Sequence, residues 1–237
     1  MAEEGRYMYM IEFKNITKKY PRGKFALNKI SFSIEKGEFV FLIGPSGAGK
    51  TTLLKLLILE NMPSGGKIVY NGHEIQKFRR GNIARLRRKI RMVFQDFKIL
   101  YDRTVLENVL LSLFIIGKQG KTAESEARKV LKLVGIEDKA NAFPVQISAG
   151  ELQRVAIARA LAGGSEVLVA DEPTGNLDPR TGEEIITLLE KINETGTTVV
   201  VTTHNASLVD THRRRVIELR DGEIVRDVAK GTYHASS

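Results

Sequence analysis

The 237-residue chain contains no cysteine. That excludes a disulfide framework and any thiolate metal site, and it fits a reducing compartment. Long apolar runs are missing too. The stretch "VLLSLFII", Val109 to Ile116, falls far short of the ~20 residues that span a bilayer. The opening MAEEGRYMYM is acidic and polar, unlike a secretory leader. There is no internal repeat and no low-complexity linker. With 42% apolar residues, the chain is expected to build a sizeable core and to be soluble by itself.

Charge is not balanced. The formal net charge is +9, and much of the excess lies in "RRGNIARLRRKIR", Arg79 to Arg91. Such a run reads as a solvated basic face, an anionic membrane surface or a nucleic-acid contact. No aromatic residue interleaves it and no nucleic-acid fold signature accompanies it, so nucleic acid is not expected.

Periodicity separates the chain into regions. "YMIEFKNITKKY" alternates as a strand. "SFSIEKGEFVFLIG" gives a strand, a Lys36-Gly37 turn and a wholly apolar strand ending at Gly44. "KTTLLKLLILE" follows as a helix, and "GKIVYNGHEI" as a hairpin turning at Asn71-Gly72. "KIRMVFQD" is another strand. From Phe97 to Ala162 the pattern is helical. "EVLVADEP" and "TTVVVTTH" are buried strands around the helix "RTGEEIITLLEKINETG". "RVIELRDGEIVRD" closes as a hairpin at Asp221-Gly222. Apolar strands alternating with helices imply an α/β fold with a mostly parallel sheet covered on both faces and a helical lobe inserted into it.

"GPSGAGKT", Gly44 to Thr51, matches the phosphate-binding loop G-x-x-x-x-G-K-[ST] between an apolar strand and a helix. Gly44, Gly47 and Gly49 are expected to let the loop, which also holds Pro45, Ser46 and Ala48, curl so that its free N–H groups face phosphates. Lys50 is expected to reach the β- and γ-phosphates. Thr51 is expected to ligate Mg²⁺, with the Thr52 hydroxyl close by. "EVLVADEP" brings Asp171 to a strand's C-terminal end, where ligands bind in such sheets. There it is suited to the metal shell, and Glu172 is suited to polarising an attacking water. An Asp-Glu pair at a strand end is by itself an ordinary loop acid; beside a phosphate loop it is a candidate site. Ser148-x-x-Glu151 reads as a helix capping box.

These elements resemble the nucleotide-binding subunits of ABC ATPases over roughly Met10 to Asp227. The resemblance implies a P-loop NTPase of the ABC type. Its features would be a RecA-like mixed sheet core, an N-terminal antiparallel β subdomain and an α-helical lobe. One domain is expected over 10–230: a first core segment at 10–96, the lobe at 97–162 and a second core segment at 163–230, with flexible tails at 1–9 and 231–237. It implies ATP as the nucleotide and Mg²⁺ as the metal. Tyr20 in "KKYPRGKFAL" matches the adenine-stacking aromatic, and Gln95 in "VFQD" the metal-site glutamine. "ISAGE" matches the signature usually written LSGGQ, with Ser148, Ala149, Gly150 and Glu151. "GNLD", ending at Asp178, matches the loop that crosses the dimer interface. His204 matches the switch histidine at the γ-phosphate.

"GEFVFLIGPSGAGKTTLLKLL", "KANAFP" and "ADEPTGNLDP" resemble the cell-division branch of that family. The branch implies a homodimer in the ATP state and an FtsX-type integral membrane subunit as partner. It also implies association with the division-ring protein FtsZ and a place on the cytoplasmic face of the plasma membrane. The competing reading is the ATPase of a lipoprotein-release or macrolide exporter, whose relatives share "ADEPTGNLDP". A soluble repair or translation ATPase is disfavoured, since the chain has neither a coiled-coil insertion nor tandem cassettes. "FQDFKILYDRTVLENV" is the expected partner contact, with Phe94, Phe97 and Leu100 read as exposed anchors or as lobe core. The basic run leaves an anionic membrane surface as a further candidate partner.

Overall fold

The computed structural model describes residues 9–21 and 25–234. The expected tails lie mostly outside these residues, but their inner ends do not behave as tails. Tyr9 opens the first strand, and Gly231 to His234 returns to the body. The Gly231 N–H donates to the Arg214 carbonyl at 3.1 Å, and the Tyr233 N–H to the Asp210 carboxylate at 2.6 Å. The Tyr233 ring packs on the main core, which is what holds the segment down.

Strands β1 (Tyr9–Lys19), β2 (Phe25–Glu35), β4 (Gly65–Tyr70) and β5 (His73–Glu74) form an antiparallel sheet in the order β2-β1-β4-β5. At the Lys36-Gly37 turn the chain leaves that sheet. It enters a second one as β3 (Phe39–Ile43), and Gly37 supplies the left-handed φ of 76° that the turn needs. The second sheet adds β6 (Ile90–Val93), β7 (Val167–Asp171), β8 (Thr198–Thr203), β9 (Arg215–Arg220) and β10 (Glu223–Val228). Its order is β10-β9-β3-β8-β7-β6. All neighbours run parallel except the β9–β10 hairpin, whose Asp221 and Gly222 both have positive φ.

Strands β3, β7 and β8 are buried along their whole length. Alternate residues face opposite ways, so each face of the sheet has its own core. Phe39, Phe41, Ile43, Leu168, Ala170, Val199 and Val201 pack toward the helices α5 (Ala149–Leu161) and α6 (Pro179–Glu194). Val40, Leu42, Val167, Val169 and Val200 pack toward β1 and the helix α1 (Lys50–Leu57), which follows β3. The inserted lobe, α3 (Val105–Ile115), α4 (Gly120–Leu133) and α5, falls between β6 and β7.

Two helices were not legible in the sequence. In α2 (Arg80–Lys89) only Leu86 is buried and Ile83 half-buried, too few apolar positions to mark a helical face among so many cations. The other, α7 (Ala206–His212), is seven residues long and buries Leu208 and Val209.

The loop between β6 and α3 is organised by Asn108, a fully buried side chain. Its Oδ1 accepts the Leu100 N–H at 2.9 Å. Its Nδ2 donates to the carbonyls of Leu100, Arg103 and Thr104 at 3.0–3.2 Å. Leu100 and Tyr101 are thereby held out in solvent, whereas Phe97 packs on the core and Phe94 is half-buried. Removing a side chain that satisfies several partly buried backbone groups leaves those groups without that partner. Asn108→Ala is expected to lower unfolding free energy by about 2–4 kcal/mol in urea titration. Hydrogen exchange at residues 97–104 should accelerate with it. A loss under about 1 kcal/mol would show that the loop does not depend on this residue.

Candidate functional site

The parallel strands β6, β7, β8 and β3 lie side by side, so their C-terminal ends share one edge of the sheet. Out of that edge come Gly44–Thr51 after β3, Gln95 after β6, Asp171 and Glu172 at β7, and His204 after β8. They surround an open cavity of about 480 Å³. It is lined by Ala26, Ser46, Gly47, Ala48, Gly49, Lys50, Thr51, Thr52, Gln95, Glu172 and His204. Helix α1 begins in this cavity, and no side chain caps its first turn. Its free N–H groups and partial positive charge are suited to an anion.

The glycines of the loop have different jobs. A Cβ on Gly44 would lie 2.1 Å from the Leu219 carbonyl oxygen, and one on Gly49 would lie 2.5 Å from that of Ala26. Those two let the loop seat against its neighbours. A Cβ on Gly47 would meet nothing within 4 Å; at φ 80° this residue serves the curl of the backbone. Lys50 is buried. Its Nζ donates to the Gly44 carbonyl at 2.7 Å and lies 3.4 Å from Glu172 Oε1. The Pro45 carbonyl is a second, longer acceptor at 3.4 Å.

Asp171 lies beneath the cavity. Its Oδ1 accepts from the hydroxyls of Thr51 at 3.1 Å and Thr202 at 2.8 Å. Glu172 takes the left-handed φ of 49°, a strained conformation for a non-glycine residue. Its N–H donates to Thr202 Oγ1 at 2.8 Å, and its Oε2 lies 2.8 Å from His204 Nδ1. The left-handed step at Glu172 thus gives the two adjacent carboxylates separate partners. Thr202 was missed in the sequence. Its signal was a polar residue at the end of the apolar run "TTVVVTTH", in register with Asp171. Gln95 is exposed beside the loop after β7, whose Asn176 amide donates to the Gln95 carbonyl at 3.1 Å.

The remaining candidates do not line this cavity. Tyr20 is 40% exposed, with the Lys18 ammonium 5.0 Å from its ring centroid. Asp178 caps α6, accepting the Thr181 N–H at 3.1 Å; the Thr181 hydrogen bonds hold its carboxyl below the usual aspartate range. Ser148 caps α5 in a full capping box. Its Oγ accepts the Glu151 N–H at 3.3 Å, and its own N–H donates to Glu151 Oε2 at 2.8 Å. That second bond holds the Glu151 carboxyl below the usual glutamate range. Ala149 is the first helical residue and is not among those with positive φ, so its methyl group costs the backbone nothing.

Fold and loop together define a P-loop nucleotide-binding domain. A family profile described as ABC transporter matches residues 27–175. The chain is 49% identical to the Cell division ATP-binding protein FtsE of Bacillus subtilis, over 94% of this chain and 98% of that one. It is 47% identical to the protein of the same name from Mycobacterium tuberculosis, over 94% and 98%. It superposes with a TM-score of 0.83 and 38% identity on the ATP-binding cassette MJ0796, a dimer in a post-hydrolysis state bound to ADP and Pi. That match covers 96% of this chain and 100% of that one. The chain belongs to the ABC transporter family of ATPases.

Gly150 has a local reason to be glycine. A Cβ there would lie 2.5 Å from Thr181 Cγ2 at the start of α6. Gly150→Ala is expected to cost about 1–3 kcal/mol of stability through this overlap. Thr181→Ser, which removes the methyl group, should restore most of it. Thermal unfolding of the single and double variants measures the coupling. Simple additivity would mean that the contact does not matter.

Proposed function

We propose that this chain is the ATP-hydrolysing subunit of an FtsEX-type membrane complex. In this reading it couples ATP-driven dimerisation to an integral membrane partner in cell division and the control of cell-wall hydrolysis. The cell-division role is supported by the relatives named FtsE, which this chain matches nearly end to end. The hydrolytic role is supported by one arrangement. Glu172 stands at the cavity between Lys50 and His204, beside a helix start with unpaired N–H groups.

ATP phosphates are read as binding the loop Gly44–Thr51 and the first turn of α1, with Lys50 exchanging the Gly44 and Glu172 oxygens for phosphate oxygens. Glu172 would orient and polarise water for in-line attack, and His204 would hold Glu172 and contact the γ-phosphate. Phosphoryl transfer asks for positioning and charge stabilisation, which such an array supplies.

Among the described residues there is no cluster of three acidic or histidine side chains able to hold a metal. That suits magnesium, which binds through one or two protein oxygens, water and substrate phosphates rather than an all-protein cage. Thr51, oriented by its hydrogen bond to Asp171, would hold it together with Gln95, and Asp171 would act directly or through water. A magnesium ion held by these residues would supply charge neutralisation to the phosphates.

The signature Ser148–Glu151 does not line the cavity of its own chain. A second copy is therefore read as supplying it, head to tail, with Asp178 near the crossing. The capping box turns Glu151 back on Ser148, which leaves the other N–H groups of the helix start to face the partner's γ-phosphate. The partner subunit, of FtsX type, would meet the loop carrying Leu100 and Tyr101 and would keep the chain at the cytoplasmic face of the membrane. Among the described residues no helix is long and apolar enough to cross it. Association with FtsZ rests on the resemblance alone.

Glu172→Gln is expected to bind ATP and elute as a dimer from size exclusion in ATP and magnesium, with turnover lowered at least ~100-fold. Lys50→Ala should stay monomeric. A Glu172→Gln variant that remains monomeric at saturating ATP would defeat the shared site. Affinity capture from membranes in ATP, with mass spectrometry, tests the partner; recovery of an exporter subunit would replace the division role.

A further inference from the structure

The basic run folds into helix α2, and the structure separates its working cations from its idle ones. Arg87 closes the end of α1, donating from Nε and Nη2 to the carbonyls of Ile58 and Leu59 at 2.9 Å each. Lys89 pairs with Glu166, and Arg91 donates to the Arg88 carbonyl at 3.2 Å. Arg79, Arg80, Arg85 and Arg88 make no side-chain hydrogen bond and no ion pair among the described residues, and all four are exposed. Arginines elsewhere are treated differently. Arg103, Arg128, Arg154, Arg214, Arg215 and Arg226 each lie within 4.0 Å of a carboxylate.

Helical geometry arranges the idle residues. Leu86 is buried and sets the inward direction. At 100° per residue, Gly81, Ala84 and Arg88 then point away from the body, with Arg80 and Arg85 on the two flanks. A Cβ built on Gly81 meets nothing within 4 Å. No acidic residue occurs between Ile75 and Phe94. The outward face therefore carries the unneutralised Arg88 guanidinium between two small residues, with those of Arg80 and Arg85 at its margins. Buried Leu86 and the Arg87 bonds to the end of α1 hold the opposite face of the helix against the body.

We propose that this face of α2 is a docking surface for anionic phospholipid headgroups, steadying the chain against the membrane independently of any protein partner. Guanidinium groups take phosphate bidentately, and unpaired ones give up no internal ion pair on doing so. The small residues let a planar surface come close. Nucleic acid is the weaker fit, since no aromatic side chain is interleaved to stack on bases. Each cation near an anionic surface strengthens partition roughly fivefold. The face acting alone gives weak binding that disappears as salt rises.

Co-sedimentation with phosphatidylglycerol–phosphatidylcholine vesicles tests this, with pure phosphatidylcholine vesicles as the blank. The wild-type chain is expected to bind the anionic vesicles at low ionic strength only. Arg80→Glu with Arg88→Glu should lower binding at least ~25-fold, the product of two such factors. Nucleotide affinity and thermal unfolding should be unchanged. Lys121→Glu with Lys129→Glu on α4 makes the same change in net charge and should bind nearly as the wild type does. Equal loss in both variants would reduce the effect to net charge and overturn the proposal. So would absence of vesicle binding by the wild type. Arg80- and Arg88-dependent retention on double-stranded DNA without vesicle binding would replace lipid by nucleic acid.

Discussion

The site depends on one buried oxygen. Asp171 Oδ1 accepts two hydroxyls, one from Thr51 on α1 and one from Thr202 on β8. A carboxylate almost out of water must have its lone pairs satisfied, and here the partners come from separate elements. The bonds tie the first turn of α1, the end of β7 and the end of β8 to a single point. This works because β7 and β8 pair in parallel with Asp171 opposite Thr202. A register shift of one residue would turn Asp171 to the other face and release both.

Strain at Glu172 follows from that anchorage. With Asp171 and Thr202 fixed, the chain leaves β7 in a left-handed step, and the Glu172 N–H is satisfied by the same threonine hydroxyl that serves Asp171. The reversal turns the Glu172 carboxylate toward Lys50 and His204 and away from the sheet. Lys50 therefore has a carboxylate and two backbone carbonyls as acceptors, and in the proposed reading a phosphate would compete with them. The energy of ordering this array is met by the fold before any ligand arrives, which is the condition for electrostatic preorganisation.

Much of this was legible because apolar patterning and loop chemistry agree. The wholly buried β3, β7 and β8 read as apolar runs, and each delivers its candidate site residues at the C-terminal end. The antiparallel sheet was signalled by alternation and by the Asn71-Gly72 turn. What escaped depends on partners distant in sequence. Thr202 is informative only once β7 is beside β8, and Asn108 looks like any polar residue in "VLENVLLSL" until its loop wraps over it. Helix α2 escaped because its stability comes from Leu86 and from arginine contacts to the end of α1, not from an apolar stripe. The residues 231–234 read as a tail because one aromatic, Tyr233, does the docking.

The signature stretch and the loop at Asp178 read as separate features in the sequence, yet they pack against each other. Gly150, in the first turn of α5, sits where a methyl group would strike Thr181 Cγ2. Thr181 is the residue whose N–H is capped by Asp178. One turn further on, Arg154 of α5 reaches Glu184 of α6 at 3.1 Å and the Val134 carbonyl at the end of α4 at 2.8 Å. The starts of α5 and α6 are joined by close packing and an ion pair, and α6 follows the loop that begins at Glu172. A glycine in the signature is thus favoured by packing inside one chain, whatever a second chain asks of it. The Ala149 methyl is tolerated because it stands one step earlier, in ordinary helical backbone.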